Sequence, residues 1–95
     1  MYDFSSPRVG RYRTTVAINV RAGAGINQRQ LTVRELTPNG RQNATSTNLN
    51  TLATFRTGTI VDVLEVKQVG KDWWGRVPSG WIALRFSEQD FVAKI

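Results

Sequence analysis

Gly58 to Leu84 reads G-T-I-V-D-V-L-E-V-K-Q-V-G-K-D-W-W-G-R-V-P-S-G-W-I-A-L. Thr59 to Val66 is rich in β-branched residues and follows a glycine, which makes it the clearest strand in the chain. Val69-Gly70-Lys71-Asp72 is a turn. Trp73 to Val77 is the next strand, and Pro78-Ser79-Gly80 is a tight reversal. Trp81 to Leu84 then pairs back on it. Short strands joined by Gly and Pro turns within 27 residues predict an all-β fold.

The same signal extends outward. Upstream, Tyr12 to Val20 (Y-R-T-T-V-A-I-N-V) reads as a strand with Val16, Ile18 and Val20 on one face. Arg21-Ala22-Gly23-Ala24-Gly25 breaks it, because paired glycines permit backbone angles that strands do not use. Downstream, Ser87-Glu88-Gln89-Asp90 suits a short capped helical turn, and Phe91 to Ile95 is apolar enough to close the sheet. Between the two blocks the pattern fades. Gln30 to Leu36 reads as a strand, Thr37-Pro38-Asn39-Gly40 as a turn, and Gln42 to Asn50 as a polar run with no apolar face. Residues 28–51 are therefore expected to form a long hairpin or mobile loop, and residues 1–10 a flexible N-terminal segment. The expected fold is a single domain over 1–95, a small five-to-six-stranded barrel carrying that insertion.

Composition limits the functions open to it. Of the 95 residues, 40% are hydrophobic and 21% charged, which fits a globular chain and argues against wholesale disorder. No run of ~18 apolar residues is present, and the first residues show no basic-then-apolar leader. Cysteine and histidine are both absent, which removes disulfides, the commonest metal ligands, the commonest general base and the best nucleophile. Of the remaining carboxylates, Asp62 and Glu65 are three apart on a strand and point to opposite faces. The glycine pair at 23 and 25 lacks the Gly, Lys and Ser/Thr of a phosphate loop. Neither an enzyme nor a metal or cofactor site is expected.

Two features favour binding. The net charge of +6 lies wholly within residues 1–57, where eight arginines face two carboxylates, while residues 58–95 are balanced. Guanidinium groups suit carboxylates and phosphates, so Arg11, Arg13, Arg29 and Arg34 are candidate contacts to an anionic partner. All three tryptophans fall between 73 and 81. Trp73 and Trp74 are adjacent and must face opposite ways on a strand, so one is core and the other lies near solvent. Exposed aromatics bind sugar faces, peptides or bases by stacking and desolvation.

Four segments in order resemble bacterial Src-homology-3 domains. Ile18 to Gly25 (I-N-V-R-A-G-A-G) is similar to that family's opening L-N-V-R-S-G-P-G. Phe55 to Leu64 resembles its L-K-K-G-T-K-V-T-V-L, Trp74 to Val77 its W-Y-K-V, and Gly80-Trp81-Ile82 its G-W-V. The resemblance implies a barrel that binds peptidoglycan through a groove near the glycine loop, tethering a parent protein or phage lysin to the cell wall. By position it points to Asn19, Arg21, Trp73, Trp74 and Trp81. Two departures accompany it: the gap from Asn27 to Ala53 exceeds the family's usual dozen residues, and the chain carries no catalytic domain. Asp72-Trp73-Trp74 and Tyr2-Asp3-Phe4 also resemble eukaryotic Src-homology-3 domains. However, Ile82-Ala83-Leu84-Arg85 replaces two residues of their polyproline groove.

The expected function is a non-catalytic wall-binding module, located at the cell wall or outside the cell if the resemblance holds. One alternative is a protein-assembly module in a phage structure or scaffold, with 28–51 as the contact. Another is a basic barrel binding nucleic acid, in which the fold would have to bring distant arginines and tryptophans together.

Overall fold

The computed structural model describes residues 7–95. Among these, nine strands run in order: β1 (Gly10–Thr14), β2 (Ile18–Asn19), β3 (Thr54–Phe55), β4 (Ile60–Val63), β5 (Glu65–Val69), β6 (Asp72–Val77), β7 (Gly80–Phe86), β8 (Gln89–Asp90) and β9 (Val92–Lys94). All pairings are antiparallel. The all-β class expected from the sequence is the one observed.

The strands do not close into the expected barrel. They form three sheets, ordered β4-β1-β9, β2-β3 and β5-β6-β7-β8. Two breaks account for this. The run from Tyr12 to Val20 is interrupted at Thr15–Ala17, so β1 pairs with β4 and β9 while β2 joins β3. The run from Thr59 to Val66 is interrupted at Leu64, which is 51% exposed and donates its N–H to Arg76 O at 2.8 Å. The chain turns a corner there and passes from one sheet to another.

One core serves all three sheets. Gly75 permits this on β6, because a Cβ there would lie 2.9 Å from Leu84 and 3.0 Å from Val63. Ile82, Leu84, Val20 and Val63 are essentially inaccessible to solvent. Each fully buried side chain of this kind contributes on the order of 1.5–3 kcal/mol.

Residues 28–51 depart from expectation. They form neither a hairpin nor a loose arm but pack into the core through Leu31, Val33, Leu36 and Ala44, all buried. A 3-10 helix at Val33–Glu35 replaces the expected strand, and a short α-helix, α1 (Pro38–Gln42), replaces the turn. Thr37 caps α1 by accepting the Gly40 N–H at 3.0 Å, with Pro38 in the first turn where its missing N–H costs nothing. The Thr37 N–H donates to Ser79 Oγ at 3.1 Å, tying α1 to the β6–β7 reversal. Backbone groups are satisfied by irregular tertiary bonds, among them Leu31 N–H to Val20 O at 2.8 Å and Ala53 N–H to Leu31 O at 2.7 Å. The polar run Gln42 to Asn50 is anchored by Ala44 and the half-buried Leu49.

Ser87–Asp90 is also not helical. Phe86 pairs with Gln89, and Ser87 and Glu88 sit between them at φ 50° and 67°. That is a two-residue hairpin turn of the primed kind, whose twist matches the flanking strands. The expected closing strand at the C-terminus is present as β9, which pairs with β1 from Tyr12–Lys94 to Thr14–Val92. The flexible segment expected at 1–10 lies outside the described residues over positions 1–6, as does Tyr2-Asp3-Phe4. Among the described residues no helix is long and apolar enough to cross a membrane.

Candidate functional site

A groove of about 290 Å³ opens where β2, the glycine loop and the β6–β7 pair meet. Its base is made of buried residues: Trp74 on β6, Ala83 directly opposite it on β7, and Ile18 on β2. Phe86 and Phe91, half-buried, flank the base. Phe86 meets Trp74 edge-on, with ring centroids 6.4 Å apart and planes at 80°, and Phe91 lies 6.3 Å beyond it. This is the favoured geometry for quadrupolar rings. Ala17, Asn19, Arg21 and Ile26 complete the lining, with Ile26 63% exposed.

The local sequence explains the position of each polar group. Arg21 leaves β2 and pairs with β7: its N–H donates to Trp81 O at 2.8 Å, and the Trp81 N–H donates to Arg21 O at 2.8 Å. The glycine loop then turns back, with Gly25 at φ 129° and the Ala22 N–H donating to Arg29 O at 2.8 Å. The Arg21 Nη1 donates to Gln28 O at 3.0 Å, so the loop orients its guanidinium. Asn19 sits on β2 opposite Thr54, whose hydroxyl donates to Asn19 Oδ1 at 3.0 Å. The amide NH₂ of Asn19 and one acceptor position on its oxygen remain available.

Trp74 is 2% exposed, and its indole N–H is buried with no acceptor among the described residues. A buried donor without a partner forfeits its hydration and costs about 1–3 kcal/mol.

The structure thus brings together three of the five residues singled out from the sequence: Asn19, Arg21 and Trp74. Trp73 is half-buried and lines a different hollow of about 390 Å³ with Gln68, Lys71, Arg85, Glu88 and Asp90. An irregularity in the β6–β7 register separates it from Trp74. Trp81 does not line the groove. It stands across from Arg76 on β6, its side chain packs partly buried against the core, and its backbone pairs with Arg21. The groove residues that the sequence reading missed are Ile18, Ile26, Ala83, Phe86 and Phe91. They come from separate segments, and only the apolar character of Phe86 and Phe91 around a turn hinted at them.

None of the four arginines proposed as anion contacts lines the groove. Arg11 pairs with Asp62 at 2.9 Å, and Arg29 pairs with Glu35 at 2.8 Å. Hydrogen bonding to those carboxylates raises the pKa of both guanidiniums. Arg34 donates to Asn50 Oδ1 at 3.3 Å. Arg13 is exposed, with no ion pair among the described residues. Exposed pairs of this kind are screened by solvent and contribute little to stability.

The carboxylates are similarly committed. Asp62 and Glu65 go to separate partners, Arg11 and Arg76, and Asp90 goes to Arg85 at 2.6 Å. Among the described residues no three Asp, Glu, His or Cys side chains gather as a metal site. Comparison with family models, with curated proteins and with solved structures finds no match, so the groove itself carries the functional reading.

Proposed function

We propose that this protein is a non-catalytic binding module that attaches a parent protein or phage lysin to bacterial peptidoglycan through the groove over Trp74. The supporting observation is the convergence of Asn19, Arg21 and Trp74 on one apolar hollow beside the glycine loop. That is the place where the resemblance to bacterial Src-homology-3 domains puts a groove. A preformed, mostly apolar concavity with a few oriented polar groups is the usual form of a small-ligand site. The folded segment 28–51 leaves this hollow open: none of its residues lines it.

The test is retention of the labelled chain on purified peptidoglycan sacculi, with and without anionic wall polymer, across a salt series. Retention on bare sacculi is expected to persist at about 1 M salt, where the screening length is ~3 Å. It is expected to be lost on Ile26→Asp, which places a charge at the exposed lip of the groove. Retention that requires the anionic polymer and vanishes with salt would reduce the interaction to charge attraction. No retention would remove the wall reading.

A further inference from the structure

The lining of the groove over Trp74 includes one cationic side chain, Arg21, and no anionic one. Arg21 supplies a guanidinium that has no carboxylate partner among the described residues. Asn19 adds an amide whose oxygen already accepts one hydrogen bond from Thr54. Trp74 supplies a buried aromatic floor. No Asp or Glu lines the groove. The rest of the lining is aliphatic or aromatic.

Such a lining selects by complementarity. A sugar presents hydroxyls that both donate and accept, and buried donors on the ligand would find no carboxylate here. An apolar side chain fills the hydrophobic base, and a carboxylate satisfies the donors through charge-assisted bonds, for which the guanidinium fork is well matched. A volume of about 290 Å³ holds one or two residues and not an extended segment. The contrast with the hollow beside Trp73 is direct: Gln68, Glu88 and Asp90 there offer acceptors, and Lys71 offers a donor.

We infer that the groove over Trp74 takes a short peptide ending in a free carboxylate next to a small apolar residue, with the Arg21 guanidinium holding the carboxylate over the apolar floor. The inference rests on the reading of this groove as the binding site, and it specifies the peptide portion of a wall polymer as the part recognised.

The experiment titrates the ¹⁵N-labelled chain with acetyl-leucyl-alanyl-alanine, with the same peptide amidated at its C-terminus, and with diacetylchitobiose. The free acid is expected to move the Trp74 indole resonance. Amidation is expected to weaken binding about tenfold or more, the usual consequence of losing a charge-assisted bond. Arg21→Gln is expected to weaken the free acid similarly while leaving the amide unchanged. Because amidation alters only the ligand, the comparison stands even if the variant folds poorly. Equal binding of acid and amide, or binding of the disaccharide at the Trp74 indole, would overturn the inference. The sacculus assay separates the two ideas. Retention on sacculi without any peptide response overturns the carboxylate proposal and leaves wall binding intact. A peptide response without retention does the reverse.

Discussion

Arg21 and Trp81 exchange both backbone hydrogen bonds, each at 2.8 Å, and this single bridge joins the glycine loop to β7. It places the Arg21 side chain at the groove, while Trp74 reaches the same groove from β6, the strand paired with β7. The neighbour of Trp81 makes the approach possible. A Cβ on Gly80 would stand 2.7 Å from Arg21 O, 2.9 Å from Leu31 and 3.1 Å from Val20. The glycine is therefore required by close backbone packing and not by a positive φ.

Gly80→Ala is expected to push the loop off β7. The obstacle is a backbone oxygen and cannot swing aside, so the cost should fall at about 1–3 kcal/mol. For a chain of this size that lowers Tm by about 4–8 °C per kcal/mol. Ligand binding at the groove should weaken beyond the effect on stability. An unchanged Tm would show that the Arg21–Trp81 bridge is dispensable.

Glu35 gives a pH prediction. Its carboxylate accepts both guanidinium bonds of Arg29, at 2.9 and 2.8 Å, together with the Thr32 N–H at 2.9 Å. The Arg29 hydrogen bonds, then the Thr32 backbone, lower its pKa from 4.5 to about 2. Between those values the unfolded chain binds more protons than the native one, so the contribution to stability is fully present above about 4.5 and is lost as pH falls through about 2. Glu35→Gln should therefore melt below the parent at neutral pH, and the gap should close as the pH is lowered across that window. Thermal melts at several pH values check this, and a gap independent of pH would contradict it.

Ser87 and Glu88 occupy the left-handed region, which costs non-glycine residues about 1 kcal/mol each. Replacing them with Asn and Gly, the preferred pair for a primed two-residue turn, should stabilise the protein by about 1 kcal/mol. The Ser87 N–H that donates to Asp72 Oδ1 at 3.1 Å is retained. A rise in Tm is expected, and a fall would mean that one of the native side chains makes an essential contact.

The parts of the fold that were legible in the sequence are those governed by local rules. β6, its Pro78-Ser79-Gly80 reversal and β7 follow from period-two residues bounded by turn formers. The strand breaks at Thr15–Ala17 and Leu64 were not legible, since β-branched residues continue through both and only the sheet geometry interrupts them. Residues 28–51 were misread for the opposite reason. Leu31, Val33, Leu36 and Ala44 follow neither a helical nor a strand period, so their shared burial shows only once the rest of the core exists to receive them. Asn19, Arg21 and Trp74 stood out because motif position marks them. Phe86, Phe91 and Ile26 did not, because nothing in one segment indicates that it will be folded against another. Trp81 lies outside this groove: its side chain packs partly buried against the core, and its backbone pairs with Arg21.

The most direct measurement is a heteronuclear NMR titration of the ¹⁵N-labelled chain with soluble disaccharide-peptide fragments of peptidoglycan. The largest shifts are expected at the Trp74 indole N–H and at the backbone amides of Asn19 and Arg21, with the Trp73 indole, in its separate hollow, responding less. No shift at millimolar fragment, or shifts confined to Trp73, would contradict the assignment of the groove over Trp74 as the wall-binding site.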